Sequence, residues 1–235
     1  MNSFLGALQF LTIVPVRAKA AALANSAIFF PIVGALLGLS AAGVVSIGGP
    51  LAALLAIIWL MASTGCLHED GLADVADAFR AGRSREKIML ILKDSRIGTY
   101  GAVALVGSTL LRWQALVQCS IDPIRALPAV LALSRASLVA MAHFAPPVGE
   151  GLGQEFAHGC TRTITALVIA QAIAFSFLAG WRLAMAMTLV SSLTIVLART
   201  YFLRRLGGVN GDCLGATCVV VETVNLVILS WRPSI

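Results

Sequence analysis

Three aspartates are spaced so that a helix would place them on a single face. Asp70, Asp74 and Asp77 stand at positions i, i+4 and i+7, and at about 100° per residue they fall within roughly 60° of one another. Like charges at this spacing destabilise a helix, and oxygen ligands without histidine or cysteine suit Mg²⁺ or Mn²⁺. The spacing therefore favours a divalent metal site over a solvated polar face.

Basic residues follow these aspartates closely. The run 93–101 reads Lys-Asp-Ser-Arg-Ile-Gly-Thr-Tyr-Gly. A basic cluster after an apolar run more often determines membrane topology. A metal ion beside Lys and Arg side chains, however, is the combination that binds a diphosphate and stabilises its charge during phosphoryl transfer. We therefore predict a phosphate site here, whose candidate residues are Arg80, Lys93, Asp94, Arg96, Gly98 and Thr99.

A second polar group precedes the last apolar run of the chain. The run 204–216 holds two arginines, four glycines and one aspartate. A simple loop would explain the glycines, but an aspartate that enters a membrane span is costly and is a functional hypothesis by default. The candidates are Arg205, Asn210, Gly211 and Asp212.

Two arginines, Arg112 and Arg135, lie near the middle of apolar runs. Each either pairs with a carboxylate inside the protein or contacts an anionic ligand, and the sequence leaves both alternatives open. Arg135 is kept as a candidate substrate contact.

Membrane helices must position all of these groups. Of 235 residues, 59% are apolar and only 12% are charged, with a mean hydropathy of +0.92. A soluble domain of this length could not hide so much apolar surface. We predict an all-α, polytopic integral membrane bundle of about six to seven transmembrane helices, formed by residues 1–235 as a single domain. The predicted spans are 27–47, 50–67, 101–120, 124–145, 164–181, 183–198 and 215–231.

Lysine and arginine positions set the expected orientation. If the N-terminus is cytoplasmic, 12 of the 17 basic residues fall on the cytoplasmic side and three fall on the opposite side, as the positive-inside rule requires. The net charge of +6 then reflects basic loops, and no nucleic-acid partner is expected. Residues 68–100 become a cytoplasmic acidic and basic catalytic segment that holds six of the 11 carboxylates.

The order of these motifs resembles the cobalamin synthase (adenosylcobinamide-GDP ribazoletransferase) family along nearly the whole chain. The diagnostic block is His68-x-Asp70-Gly71-Leu72-Ala73-Asp74-x2-Asp77 followed by the run 93–101. Further similar blocks are Phe4-Leu5-x2-Leu8-Gln9-Phe10-Leu11-Thr12, Phe30-Pro31-x2-Gly34-x3-Gly38, Ser134-Arg135, Gly151-Leu152-Gly153-x2-Phe156 and the run 204–216.

The resemblance implies an Mg²⁺-dependent enzyme of the bacterial cytoplasmic membrane. It would join adenosylcobinamide-GDP to α-ribazole or its 5′-phosphate and release GMP. Asp70, Asp74 and Asp77, with Glu69, would bind Mg²⁺, and Asp74 or Asp212 would accept the hydroxyl proton. Lys93, Arg96 and Arg80 would neutralise phosphate oxygens. The protein is expected to be surrounded by membrane lipid. Whether it forms a homo-oligomer is left open by the resemblance.

Two other functions remain as alternatives. A CDP-alcohol phosphotransferase also places spaced aspartates beside glycine, but its motif needs Asp-Gly-x2-Ala-Arg, and after Asp70-Gly71 this chain has Asp74-Val75 where that motif has Ala-Arg. A secondary transporter could use Arg112 and Arg135 as midplane charges. Such a protein would show internal repeats, and the sequence shows no convincing one.

Overall fold

The fold is an all-α bundle. The computed structural model describes residues 2–16, 23–149 and 152–231, and within these the extended pairing is a single bridge between Pro147 and Val209. The predicted motif residue Gly151 lies outside the described residues. The helices are α1 (Asn2–Leu11), α2 (Leu23–Ser26), α3 (Phe30–Val45), α4 (Gly49–Ser63), α5 (Leu67–Ala81), α6 (Arg85–Ile91), α7 (Thr99–Gln118), α8 (Pro123–Phe144), α9 (Leu152–Gly159), α10 (Arg162–Ser176), α11 (Trp181–Leu206) and α12 (Gly211–Ser230).

Several of these helices can cross a membrane, which confirms the predicted polytopic helical fold. In the described part of the chain, five segments are long and apolar enough: Leu23–Val45, Pro123–Phe144, Arg162–Ala179, Trp181–Leu206 and Gly211–Ser230. The helices α4 and α5 meet the same test only as a pair, bent by 89°, which would make six. The predicted run 101–120 does form a helix, but α7 is not among the segments that meet the test.

A sharp bend separates α4 from α5 and ends the predicted span 50–67 early. Gly65 and Cys66 both adopt left-handed backbone conformations, with φ of 61° and 56°. Such values are uncommon for a residue other than glycine. The two residues turn the chain, so that the predicted catalytic segment begins just past the bend and not at the end of a straight span.

The central helix is α8, whose residues from Ala126 to Met141 are buried almost continuously. Small residues let α3 approach it closely, because a Cβ atom at Gly38 would lie only 2.5 Å from the Leu127 carbonyl. Close backbone contact through glycine is typical of helix pairs in membranes. The helices α3 and α8 therefore pack as a close pair beside the helices that carry the polar residues.

Helix α5 packs against the start of α12 in the same way. A Cβ at Gly71 would lie 2.8 Å from the Asp212 carbonyl oxygen, and one at Gly215 would lie 3.3 Å from the Cα of His68. These glycines bring the aspartates of α5 to the N-terminal end of α12. The two polar groups that the sequence singled out therefore meet in space.

Candidate active site

The predicted aspartate face exists, and a fourth carboxylate joins it from another helix. Asp70, Asp74 and Asp77 all lie on the helix α5. Partial burial, and after it the neighbouring charges of Asp70, Asp212 and Asp77, together raise the pKa of the Asp74 carboxyl to about 6. The four carboxylates are thus close enough to oppose one another's ionisation, which a bound cation would relieve.

Asp212 is held in place by its neighbour Asn210. The Asn210 side-chain amide donates a hydrogen bond of 2.7 Å to Asp212 Oδ2. The other end of the same amide, Oδ1, accepts from the backbone N–H of Cys213 at 3.1 Å and caps α12. Asparagine is a favoured residue at such a cap. One side chain therefore starts the helix and orients the carboxylate.

Asp77 lies against the start of α7. Its Oδ2 accepts a hydrogen bond of 2.7 Å from the backbone N–H of Gly98, directly before Thr99, the first residue of that helix. A Cβ at Gly98 would lie 2.5 Å from Asp77 Oδ1, and one at Gly101 would also clash with this carboxylate. The two glycines of the run 93–101 therefore leave the space that the Asp77 carboxylate occupies.

The charged residues of the run 93–101 lie at the surface. Arg96 and Asp94 form an exposed ion pair of 2.7 Å, and hydrogen bonds from Arg96 lower the pKa of Asp94 to about 2. Lys93 is exposed. The structure thus places these residues at the surface of a run that contacts Asp77 through Gly98, and the hydrogen bonds and ion pair of Arg96 go to Asp94.

The two arginines inside the bundle pair with carboxylates, which was one of the two alternatives. Arg112 Nη1 lies 2.9 Å from Glu69 Oε1 and 3.1 Å from Glu222 Oε1. Arg135 Nη1 lies 2.5 Å from Glu222 Oε2 and 2.7 Å from Ser134 Oγ. Glu69 differs from the three aspartates of α5, because its carboxylate is paired with a buried arginine.

Glu222 was missed by the sequence reasoning. It is 3% exposed and bridges Arg112 and Arg135. The available signal was a lone carboxylate in the middle of the apolar run 215–231, together with two intramembrane arginines that needed a partner.

A cavity of about 200 Å³ opens at the N-terminal end of α5. Its polar lining residues are His68, Asp70 and Asp212, and its apolar lining includes Phe10 and Phe156. His68 is 3% exposed, and its Nε2 has no hydrogen-bond partner among the described residues. A small, mostly apolar cavity with carboxylates at one edge suits a mostly apolar ligand that carries a few polar groups.

A second and larger opening lies at the other end of α5. This cleft of about 630 Å³ brings together two predicted substrate contacts, Arg80 and Arg205. Arg205 is fixed by hydrogen bonds of 2.8 and 2.7 Å to the carbonyls of Phe79 and Gly82. The aspartate face therefore lies between an apolar cavity and a basic cleft.

The donor chemistry fits Mg²⁺ shared with a substrate. Within the ranges that the structure describes, no group of three or more His, Cys, Asp or Glu side chains is arranged to hold a metal ion. Mg²⁺ commonly takes only one or two protein carboxylates and completes its shell with water and substrate phosphates. Asp70, Asp74 and Asp77 supply oxygen donors of that kind beside an open approach.

Comparisons with known proteins find similar sequences along nearly the whole chain. The family model for cobalamin-5-phosphate synthase matches residues 3–230. An adenosylcobinamide-GDP ribazoletransferase of Geotalea daltonii is 36% identical, over 95% of this chain and 94% of the relative. One of Herpetosiphon aurantiacus is 39% identical, over 95% and 94%, and one of Mesorhizobium japonicum is 38% identical, over 85% and 80%. No solved structure matches the chain.

Proposed function

The chain belongs to the cobalamin-5-phosphate synthase family, and from that premise we propose that it joins adenosylcobinamide-GDP to α-ribazole or its 5′-phosphate and releases GMP. The names of the relatives support this reaction. The observation that carries it in the structure is the gathering of four carboxylates, from α5 and α12, between an apolar cavity and a basic cleft.

The reaction transfers a phosphoryl group between two oxygens. A ribose hydroxyl oxygen forms a bond to the phosphorus that carries the corrinoid side chain. The bond from that phosphorus to the bridging oxygen of the diphosphate breaks, and GMP leaves with this oxygen. The hydroxyl proton passes to a carboxylate and then to water. Because these steps move negative charge between oxygens, catalysis depends on positioning and on nearby cations.

Asp74 and Asp212 are the proposed proton acceptors. Asp74 lies in the middle of the aspartate face and is only partly buried, so its carboxylate is open to a substrate hydroxyl and can serve as a general base. Asp212 lines the cavity at the N-terminal end of α5, where we place the acceptor nucleoside. A hydroxyl in this cavity would face Asp212 and the aspartate face together.

Mg²⁺ would be held by one or two carboxylates of the set Asp70, Asp74 and Asp77 together with the substrate phosphates, and when bound it would withdraw charge from the diphosphate. Glu69 supports this face from the bundle side through its pair with Arg112. Lys93 and Arg96 stand on the approach and would neutralise phosphate oxygens. Arg135 acts through Glu222 and is a positioning residue in this proposal.

We place the site on the cytoplasmic side of the bacterial cytoplasmic membrane. The bias of lysine and arginine supports this orientation. Both substrates carry polar groups, so an approach from water suits the exposed segment that leads to α7.

Turnover by the purified protein tests this function. In detergent with both substrates and Mg²⁺, we expect GMP release that requires each substrate. Asp74→Asn should reduce this release at least about 100-fold, within the range of removing a general base. The matched control is Asp122→Asn, because Asp122 is an exposed helix cap distant in sequence from the site. CMP release from a CDP-alcohol, or substrate uptake without chemistry, would contradict the proposal.

A further inference from the structure

The basic cleft has a composition that the aspartate face does not explain. It lies between the C-terminal end of α5, the start of α7 and the end of α11, and has a volume of about 630 Å³. Three arginines and two tyrosines line it: Arg80, Arg83, Arg205, Tyr100 and Tyr201. The described lining includes no carboxylate.

The positive charge of this cleft is not neutralised within the described structure. The ion pairs among the described residues involve Arg96, Arg112 and Arg135, and none of them involves an arginine of the cleft. Arg205 is instead held by two backbone carbonyls at the end of α5. A guanidinium fixed in this way keeps its charge and its remaining N–H donors for an anion, and phosphate matches its geometry.

Two aromatic rings stand beside these cations. Tyr100 and Tyr201 remain 48% and 44% exposed. The guanidinium carbon of Arg80 lies 5.6 Å from the centre of the Tyr100 ring, and that of Arg205 lies 5.8 Å from the Tyr201 ring. Phe79 supports the Tyr201 ring at 5.5 Å. Exposed rings beside arginines are platforms on which planar bases stack.

The cleft adjoins the C-terminal end of the aspartate face. Arg80 follows Asp77 by three residues, and Tyr100 stands between the two glycines that contact Asp77. The helical rise from Asp74 to Arg80 is about 9 Å. This distance is similar to the length of a nucleoside monophosphate, so a diphosphate at the aspartates would direct one nucleotide into the cleft.

We propose that this cleft binds the guanine nucleotide half of the diphosphate substrate, the half that leaves as GMP. The arginines hold its phosphate, and a tyrosine ring stacks on its base. The assignment rests on the proposed function, because it takes the leaving group from that reaction. It places the two substrates at opposite ends of α5, with the nucleoside acceptor in the apolar cavity and the leaving nucleotide in the basic cleft.

Equilibrium dialysis with labelled GMP tests the assignment without turnover. The purified full-length protein in detergent should bind GMP about tenfold more tightly than inorganic phosphate, which is the size of effect expected from one stacked base. Arg80→Gln should weaken the binding of both ligands. Tyr201→Leu should weaken GMP binding alone, and Tyr201→Phe, which keeps the ring, should preserve it.

The matched control is Arg182→Gln. Arg182 also stacks on an aromatic ring, at 5.2 Å from that of Trp181, but it lies at the opposite end of α11. This variant should bind GMP as the unaltered protein does. Equal losses in Arg182→Gln and Arg80→Gln, or GMP binding no tighter than that of phosphate, would overturn the assignment.

Two further arms separate this proposal from its alternatives. Nanodiscs with and without anionic phospholipid should bind GMP alike, and loss of GMP binding on adding anionic lipid would assign the cleft to lipid headgroups instead. In turnover assays, Tyr201→Leu should raise the KM for adenosylcobinamide-GDP more than it lowers kcat. Turnover with an unchanged KM would overturn the cleft assignment alone, whereas GMP binding without any turnover would overturn the proposed reaction alone.

Discussion

At the scale of single residues, four buried charges inside the bundle form a balanced network of two anions and two cations. Glu69, Arg112, Arg135 and Glu222 come from four different helices, and Glu222 contacts both arginines. Glu69 Oε2 and Arg112 Nη2 have no hydrogen-bond partner among the described residues. These four side chains are therefore stabilised by charge pairing more than by complete hydrogen bonding. Removing one of them should lower the free energy of unfolding substantially.

The first residue-scale prediction follows from this balance. Glu222→Gln keeps the side-chain shape but leaves two buried guanidinium groups with one carboxylate between them. We expect a loss of about 3 to 5 kcal/mol in unfolding free energy, seen as a lower unfolding midpoint in detergent by circular dichroism. The control is Asp94→Asn, which breaks the exposed pair with Arg96 and should leave the midpoint nearly unchanged. Equal midpoints in the two variants would contradict the network's role.

At the scale of helices, the close approach of α5 to α12 decides the site geometry. Gly71 lies in the interior of α5, where alanine would normally favour the helix. Here a Cβ would lie 2.8 Å from a backbone oxygen of Asp212. Backbone atoms cannot move aside as a flexible side chain can, so the two helices would have to separate.

We therefore expect Gly71→Ala to lower GMP release at least about tenfold, since small displacements of reacting groups are costly. The measurement is the turnover assay described above. Gly107→Ala is the matched control, because Gly107 also lies within a helix and has no atom within 4 Å of its Cβ position. The control should keep full activity. Normal activity in Gly71→Ala would show that the approach of α5 to α12 does not matter.

Much of this helix pair could be predicted from the sequence, and the reason is local periodicity. The aspartate face of α5 follows from the spacing of Asp70, Asp74 and Asp77 alone. The bend at Gly65 and Cys66 was not predicted, because the run 50–67 holds no charged residue or internal proline to end the span and the bend depends on two left-handed residues. The role of Glu222 was equally hidden, since its partners lie 87 and 110 residues away in sequence.

At the scale of the whole molecule, the charges divide into two sets with different roles. The buried set pairs internally and joins α5, α7, α8 and α12 at the centre of the bundle. The second set follows α5 from its N-terminal to its C-terminal end, where four carboxylates of α5 and α12 repel one another and three arginines lack a carboxylate partner among the described residues. The first set fixes the helices, and the second is left free for ligands.

This division requires that the second set face the compartment that supplies the substrates, which leads to a prediction about orientation. Residues 68–100 should be cytoplasmic, and the turn after α7 should lie on the opposite side. Ser95 and Ser120 are exposed positions in these two places, separated by the 20-residue helix α7. In a variant whose five cysteines are replaced by alanine, Ser95→Cys should react with a membrane-impermeant thiol reagent only in inside-out vesicles. Ser120→Cys should react only in right-side-out vesicles. Labelling of both positions from one side would show that α7 does not cross the membrane, whereas reversed labelling would place the site outside the cell.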